Sequence, residues 1–418
     1  MSRIDRSESI AAHRESHGRA HATERDWLVK GTLLLTIGVF SFSERAFGPL
    51  APFIRSALHL SEGQMGIAGG AMLAGLFVTV LPAGAIIDRV GSRLALGAIM
   101  TALGLAFIGV ASQQSFWGLV AALFIVGLVG SGVKPAINKT IAIRYAREQR
   151  GTTLGLIEAG APMAGLVGAL VLPAVALAIG WNVGYRLIGV AALLSAFVCW
   201  VLIPTVQFRR ENSRPLFHFV LRNQGTFLIL SATYALTVSA VMAARVFLTL
   251  FLVDIVNLTA IVAGFYFALT QASAAGGRIL WGILADRHFA QNRTGLLSLN
   301  TWLSAVSFAL LSVLSAKSTP LMIAFVMLLL GISILASWGI MSVLVVDMAG
   351  EDSTASATSV ILTLMVIAGV LGPIIFGIVV DLTDSYQLAL RLFGGVLVLS
   401  AVLFARLSHA EKVISTSN

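Results

Sequence analysis

Gly84-Ala-Ile-Ile-Asp88-Arg89-Val-Gly91-Ser-Arg93 stands between two long apolar stretches and reads as a tight turn at a membrane surface. Each flanking stretch is long enough to cross a bilayer, so Asp88, Arg89 and Arg93 fall where the chain emerges into water. Gly84 and Gly91 let backbones approach closely on either side of the turn. A shorter copy, Gly282-Ile-Leu-Ala-Asp286-Arg287, follows 198 residues later, with Arg293 six residues beyond. Two copies so spaced in a chain of 418 residues predict a duplicated bundle.

Composition sets the medium. The chain is 57% hydrophobic and 11% charged, with a mean hydropathy of +0.92. Soluble domains carry about 25% charged residues, so this is a polytopic helical membrane protein and the bilayer is its first partner. A net charge of +9 would suggest nucleic acid in a soluble chain. Here the cations collect at the ends of apolar segments, which excludes that reading. The lone cysteine, Cys199, lies in an apolar run, so no internal disulfide is expected. No apolar signal region precedes Trp27, so no cleavable signal peptide is expected either.

Twelve apolar segments follow, at 28–54, 61–83, 92–112, 116–142, 152–178, 183–204, 225–253, 258–283, 294–315, 319–346, 354–380 and 387–407. They divide the chain into a polar tail (1–27), a six-helix bundle (28–204), a linker rich in arginine (205–224), a second bundle (225–407) and a short tail (408–418). Within the first tail His13, His17 and His21 recur every four residues, but Gly18 and the polar surroundings argue for a solvated tail over a metal site. With the N-terminus inside, the inner segments hold Arg89, Arg93, Lys139, Arg144, Arg147, Arg150, Arg209, Arg210, Arg214, Arg222, Arg287 and Arg293. The outer ones hold only Arg55, Arg186, Lys317 and Arg391, which places both termini in the cytoplasm. One inner loop, with Asp347, Glu351 and Asp352, breaks the pattern, and acidic residues count for little in it.

The G-x-x-x-D-R-x-G-x-R run resembles the loop between the second and third helices of the major facilitator superfamily of secondary transporters. The resemblance implies an all-α membrane protein of twelve transmembrane helices in two pseudo-symmetric six-helix bundles, acting as a monomer in a bacterial inner membrane. It also implies a gating role, without substrate choice, for Gly84, Asp88, Arg89, Gly91 and Arg93, and for Gly282, Asp286 and Arg287 in the copy. Gly180-Trp181-Asn-Val-Gly-Tyr185-Arg186 resembles a run that opens the sixth helix in many members. Gly160-Ala161-Pro162-Met-Ala164-Gly165-Leu-Val-Gly168 is similar to the antiporter motif of drug exporters but lacks its adjacent Gly-Pro pair. Gly160, Ala164 and Gly168 form a small-residue face suited to close helix packing, and Gly369, Gly372, Pro373 and Gly377 repeat the pattern in the eleventh segment.

Six ionisable residues lie far from any helix end: Glu44, Arg45, Lys134, Glu158, Arg245 and Arg278. A charge at the bilayer centre costs roughly 2.5–3.5 kcal/mol unless it meets water or a partner. Arg278, one turn above Gly282, is expected to snorkel or to pair with Asp286. Arg45 and Arg245 stand 200 residues apart, close to the 198-residue offset of the loops, so they occupy nearly equivalent places in the halves. Two guanidiniums facing each other would clamp a carboxylate or phosphate. An arginine pair on the first and seventh helices resembles the organophosphate antiporters. Glu44-Arg45 before Gly48-Pro49 resembles the acid-arginine pair of the anion–cation symporters, and Lys134-Pro135 matches part of their fourth-helix pattern. A bland account also stands: Glu44 neutralises Arg45, Glu158 pairs with Lys134, and Arg245 sits at the outer interface.

These residues predict a secondary transporter, a proton-coupled importer or an exchanger working against a counter-substrate, for a small organic anion such as a carboxylate, sugar acid or organophosphate. Arg45, Arg245 and Lys134 are the expected substrate contacts, with Glu44 first and Glu158 second as the proton-coupling carboxyl. No nucleophile elbow, phosphate-binding loop or metal-ligand cluster is present, so neither catalysis, ATP, a cofactor nor a metal is expected. Proton-driven export of an apolar or cationic compound and a transport-dead receptor are the competing readings.

Overall fold

In lipid every backbone polar group must be satisfied within its own segment, so apolar runs of this length fold as helices. The computed structural model describes residues 26–145, 147–158, 160–203, 226–289 and 292–416, and holds no strand among them. His13, His17 and His21 and the 205–224 linker lie outside the described residues.

Twelve spans follow in order. Span 1 comprises Asp26–Arg45 and Phe47–Leu58. Spans 2 and 3 are Glu62–Val90 and Ser92–Ala111. Span 4 joins Phe116–Gly130 to Val133–Arg144, and span 5 joins Arg147–Glu158 to Gly160–Ile179. Spans 6, 7, 8 and 9 are Trp181–Leu202, Thr226–Asp254, Ala260–Arg287 and Arg293–Leu311. Span 10 begins as Pro320–Ser333 and passes through the tight turn Ile334–Ala336 into Trp338–Thr383, whose later part is span 11. Span 12 is Tyr386–Thr416.

Two boundaries differ from expectation. The acidic loop at 347–352, which has no proline and only Gly350 to weaken it, continues the helix Trp338–Thr383. Span 12 runs through most of the expected tail at 408–418, because Arg406 to Ile414 contains no helix breaker.

Two spans bend where sequence chemistry demands it. Pro49 has no N–H to bond the Arg45 carbonyl, and its ring crowds that turn, so span 1 breaks at Ala46. Pro135 stands in the same relation to Ser131, and span 4 breaks at Ser131–Gly132. The turn between spans 2 and 3 is Gly91 alone, at φ +81°, a conformation that side chains resist.

Packing repeats between the halves. Span 3 packs on span 6 as span 9 does on span 12, and span 2 packs on span 4 as span 8 does on the first part of span 10. Between the halves, span 2 lies on span 11, span 5 on span 8, and the second helix of span 1 on span 7. Lipid supplies no hydrophobic drive to helix association, so close approach at small residues carries it. Gly66 meets the Pro373 backbone, Gly372 the Ser239 backbone, and Gly377 the Glu62 backbone, places where a Cβ would collide. These joints lie between the middle of the bundle and the end opposite the termini.

Candidate functional site

The breaks in spans 1 and 4 set Glu44, Arg45 and Lys134 at mid-depth, and span 7 brings Arg245 from the other half. Glu44, Arg45, Arg245 and Gln271 line one cavity, with Phe47 and Phe267 among its apolar walls. Its enclosed volume is about 70 Å³. A single water needs roughly 10–15 Å³, so the space suits a group of about five heavy atoms, the size of a carboxylate or phosphate.

The polar groups are unevenly matched. Glu44 Oε2 lies 3.7 Å from Lys134 Nζ and 3.9 Å from Arg45 Nη1. Arg45 Nη1 also donates to the Ser41 carbonyl at 3.1 Å. Arg245 Nη1 has the Met242 sulfur at 4.0 Å, a weak acceptor, and its buried Nε makes no hydrogen bond. Leaving a buried charged donor unmatched costs upward of about 1–3 kcal/mol. Arg45 and Arg245 bring like charges to the same cavity, so an incoming anion would relieve repulsion as well as satisfy donors.

Lys134 is half exposed, pairs with Glu44, and lies 5.7 Å over the Phe40 ring. The expected Glu158–Lys134 pair is not assessed, because the Glu158 side chain lies outside the described residues. Asp286 has its carboxylate 3.9 Å from Arg293. Arg278 lines a small neighbouring cavity with Arg45, Arg245, Gln271 and Pro162. Depth along a helix was legible in the sequence, whereas the face that span 8 turns inward is set by packing.

The small-residue stretch of span 5 has two roles. Gly160 packs against Leu34 and Gly168 against the Phe42 ring, both on span 1. Gly165 faces the site, where a Cβ would lie 2.6 Å from Arg45 Cδ and 2.7 Å from Gln271 Nε2. Gly165→Val should therefore displace both side chains. Overpacking of this kind costs about 1–3 kcal/mol, so anion affinity should fall by about tenfold, with a smaller loss for Gly165→Ala. Titration of monodisperse purified variants checks this.

A network that sequence reasoning missed joins the halves at the end opposite the termini. Arg55 donates to Asp254 through Nη1 at 2.6 Å and Nη2 at 2.7 Å, and also pairs with Glu62. Tyr386 donates to Asp254 at 3.1 Å. Beside it Asp381 caps span 2, accepting from Ser61 Oγ at 2.7 Å and from the Glu62 and Gly63 amides at 2.8 Å. Arg55 and Asp254 are 199 residues apart, so the duplication offset marked them too.

At the termini end the two loop copies differ. Gly91 makes the tight turn and Arg89 is exposed, while Gly282 faces open space and Asp286 is largely exposed. Arg93 is partly buried, Arg287 is exposed, and the side chains at Gly84 and Asp88 lie outside the described residues.

Twelve spans, repeated packing and a mid-depth cavity shared by two halves describe one architecture, and the family model of the Major Facilitator Superfamily matches residues 33–373. The chain belongs to this superfamily. Among its relatives are a hexuronate transporter of Bacillus subtilis, 29% identical over 40% of this chain and 40% of that protein. Another is a membrane sensor protein of Salmonella typhimurium, 27% identical over 41% of this chain and 39% of that one. The chain thus aligns with less than half the length of either relative. A bacterial homolog of the human lysosomal transporter Spinster, in an inward-facing and unoccupied conformation, superposes with a TM-score of 0.79 at 16% identity. That match covers 92% of this chain and 97% of the other, and it concerns the fold. As a superfamily member the protein is an integral membrane protein.

Proposed function

We propose that this transporter moves a small organic anion of the sugar-acid or related carboxylate class across a bacterial inner membrane, coupled to protons and as a monomer. The observation that carries the reading is the pair Arg45 and Arg245, one from each half, lining a single cavity in which Arg245 has, among the described residues, only a thioether as acceptor. The hexuronate transporter among the relatives supports the carboxylate class. With both termini in the cytoplasm, the Arg55 network lies at the outer face and the conformation is closed to the outside.

The export reading rested on the span 5 stretch. Gly160 and Gly168 there serve packing and Gly165 makes room for Arg45 and Gln271, so the stretch supports the anion site. A receptor keeps one observation in its favour, the sensor protein among the relatives. Uptake of radiolabelled hexuronates, other carboxylates and sugar phosphates into proteoliposomes under an imposed pH gradient separates the readings. Accumulation of an anion supports the proposal. Binding without uptake supports a receptor, and uptake or efflux of apolar cations alone supports export.

Glu44 is the coupling carboxyl in this account. A bound anion competes with Glu44 for Arg45, one of the two cations within 4.0 Å of its carboxylate. Glu44→Gln, permanently neutral, should exchange anion across the membrane while losing pH-driven accumulation. Normal accumulation by Glu44→Gln, beside its loss in Glu158→Gln, would transfer the role to Glu158.

A further inference from the structure

Away from the arginine cavity, we infer that the first bundle holds one anionic phospholipid, with its phosphate at Lys30 and Arg144 and one acyl chain in the groove between spans 1, 5 and 6. That groove has a volume of about 620 Å³, far larger than the arginine cavity, and every residue that lines it is apolar or glycine. Leu35, Met163, Val167 and Leu187 in its walls are 43–67% exposed, so it opens onto the lipid-facing surface. Glycine hollows the span 1 wall, because a Cβ at Gly31 or Gly38 would meet nothing within 4 Å. Gly31, Leu35, Gly38 and Phe42 share one face of the helix, and Trp27, one turn before Gly31, continues that stripe toward the end with the termini. Gly31 and Phe42 are eleven residues apart, about 16 Å at 1.5 Å per residue, or half of a hydrocarbon core roughly 30 Å thick. The span 1 wall is therefore as long as one leaflet is deep.

Charge decides which mouth of the groove takes the headgroup. Lys30 adjoins Gly31 in the chain, and its Nζ lies 2.8 Å from Asp26 Oδ2, 5.2 Å from the Trp27 ring and 5.1 Å from the Tyr145 ring. Arg144 shares the same carboxylate, with Nε 3.7 Å from Asp26 Oδ1, and among the described residues this buried Nε makes no hydrogen bond. Arg150, which is exposed, donates to the Tyr145 carbonyl at 3.0 Å. Three cations against one carboxylate leave this cluster positive, and a phosphodiester offers both a negative charge and acceptor oxygens. Trp27, 63% exposed, stands where aromatic side chains meet lipid headgroups. The opposite mouth, near Gly184, is flanked by one exposed cation, Arg186. A recess for one chain and a surplus of positive charge thus adjoin at the end with the termini, and a bound lipid there braces spans 1, 5 and 6 against one another.

The test offers purified full-length protein in detergent micelles three probes and counts bound molecules by native mass spectrometry. The probes are phosphatidylglycerol, phosphatidylethanolamine and glycerophosphoglycerol, the last being the anionic headgroup without chains. Wild-type protein should hold phosphatidylglycerol about tenfold more tightly than phosphatidylethanolamine and should not retain the chainless headgroup. Lys30→Gln/Arg144→Gln should erase that preference, weakening phosphatidylglycerol by about tenfold and phosphatidylethanolamine by less than about twofold. Gly38→Leu fills the groove and should weaken both lipids by about tenfold, and Met163→Trp fills it from span 5 in case Gly38→Leu does not fold. Arg186→Gln should leave all three probes unchanged. Equal affinity of wild type for the two lipids would overturn the inference, as would unchanged binding in the charge variant or in the folded groove variants. Tight binding of glycerophosphoglycerol would show a headgroup site without the groove. A loss of phosphatidylglycerol in Arg186→Gln as large as in the Lys30 and Arg144 variant would put the headgroup at the wrong mouth, and either result overturns the inference too.

Discussion

Arg45→Lys and Arg245→Lys should each bind the substrate anion about 10- to 150-fold more weakly than wild type, although neither changes the charge of the cavity. The reason is geometric. A guanidinium presents a planar fork that meets a carboxylate with two parallel hydrogen bonds, whereas an ammonium offers a point charge on a flexible stem. Losing one charge-assisted hydrogen bond in a partly buried site costs about 1.5–3 kcal/mol, and that loss sets the expected range. The two residues should differ in their side effects. Arg45 also holds the Ser41 carbonyl and stands beside Glu44, so Arg45→Lys should disturb proton coupling as well as affinity. Arg245 has no protein oxygen among its observed acceptors, and Arg245→Lys should lower affinity with coupling intact. Affinity by titration and coupling by pH-driven uptake check the pair. Normal affinity in both variants would refute the clamp.

Arg55→Gln should produce the second large effect, on conformation and not on chemistry. Arg55 holds two carboxylates and a phenol from both halves, and its removal leaves Glu62 and Asp254 facing each other without the cation between them. Breaking a buried pair costs about 3–5 kcal/mol, and these side chains are 13–25% exposed, so solvent reduces the cost to about 1–2 kcal/mol. The closed end loses that energy and the opposite state does not, which shifts the population outward by about 5- to 30-fold. Asp254→Asn should shift it less, because Glu62 still holds Arg55. Labelling of Val246→Cys, which lines the cavity, by a membrane-impermeant maleimide from the outer face reads this on a Cys199→Ala background. Equal labelling rates with and without Arg55 would show that the network is no gate.

Much of this was legible in the chain because it was written twice. The loop around Asp88 and its copy at Asp286 exposed the duplication, and the same offset singled out Arg45 and Arg245. The same offset separates Arg55 from Asp254, but both stand near helix ends, where charges are expected and carry no signal. Glu62 and Asp381 were hidden in the same way. Gln271 is neutral, so its place in the membrane raised no question of cost. Arg278 was noticed, and counting residues gives its depth, whereas its direction depends on how span 8 packs against span 5 and span 10. Gly165 was read only as part of a packing face, since sequence cannot tell which glycine of a stretch touches a helix and which leaves room for a side chain.

The claim at the centre of this account is that the halves rock about the arginine cavity and that the Arg55 end must open for transport. Ser61 and Asp381 lie on opposite halves at that end, with Ser61 Oγ 2.7 Å from the Asp381 carboxylate, close enough for a disulfide between replacing cysteines. The decisive measurement is labelled hexuronate uptake by Ser61→Cys/Asp381→Cys on a Cys199→Ala background, before oxidation, after oxidation and after reduction. The oxidised protein should retain anion binding from the cytoplasmic face and lose uptake, and reduction should restore it. Undiminished uptake by fully crosslinked protein would contradict the account.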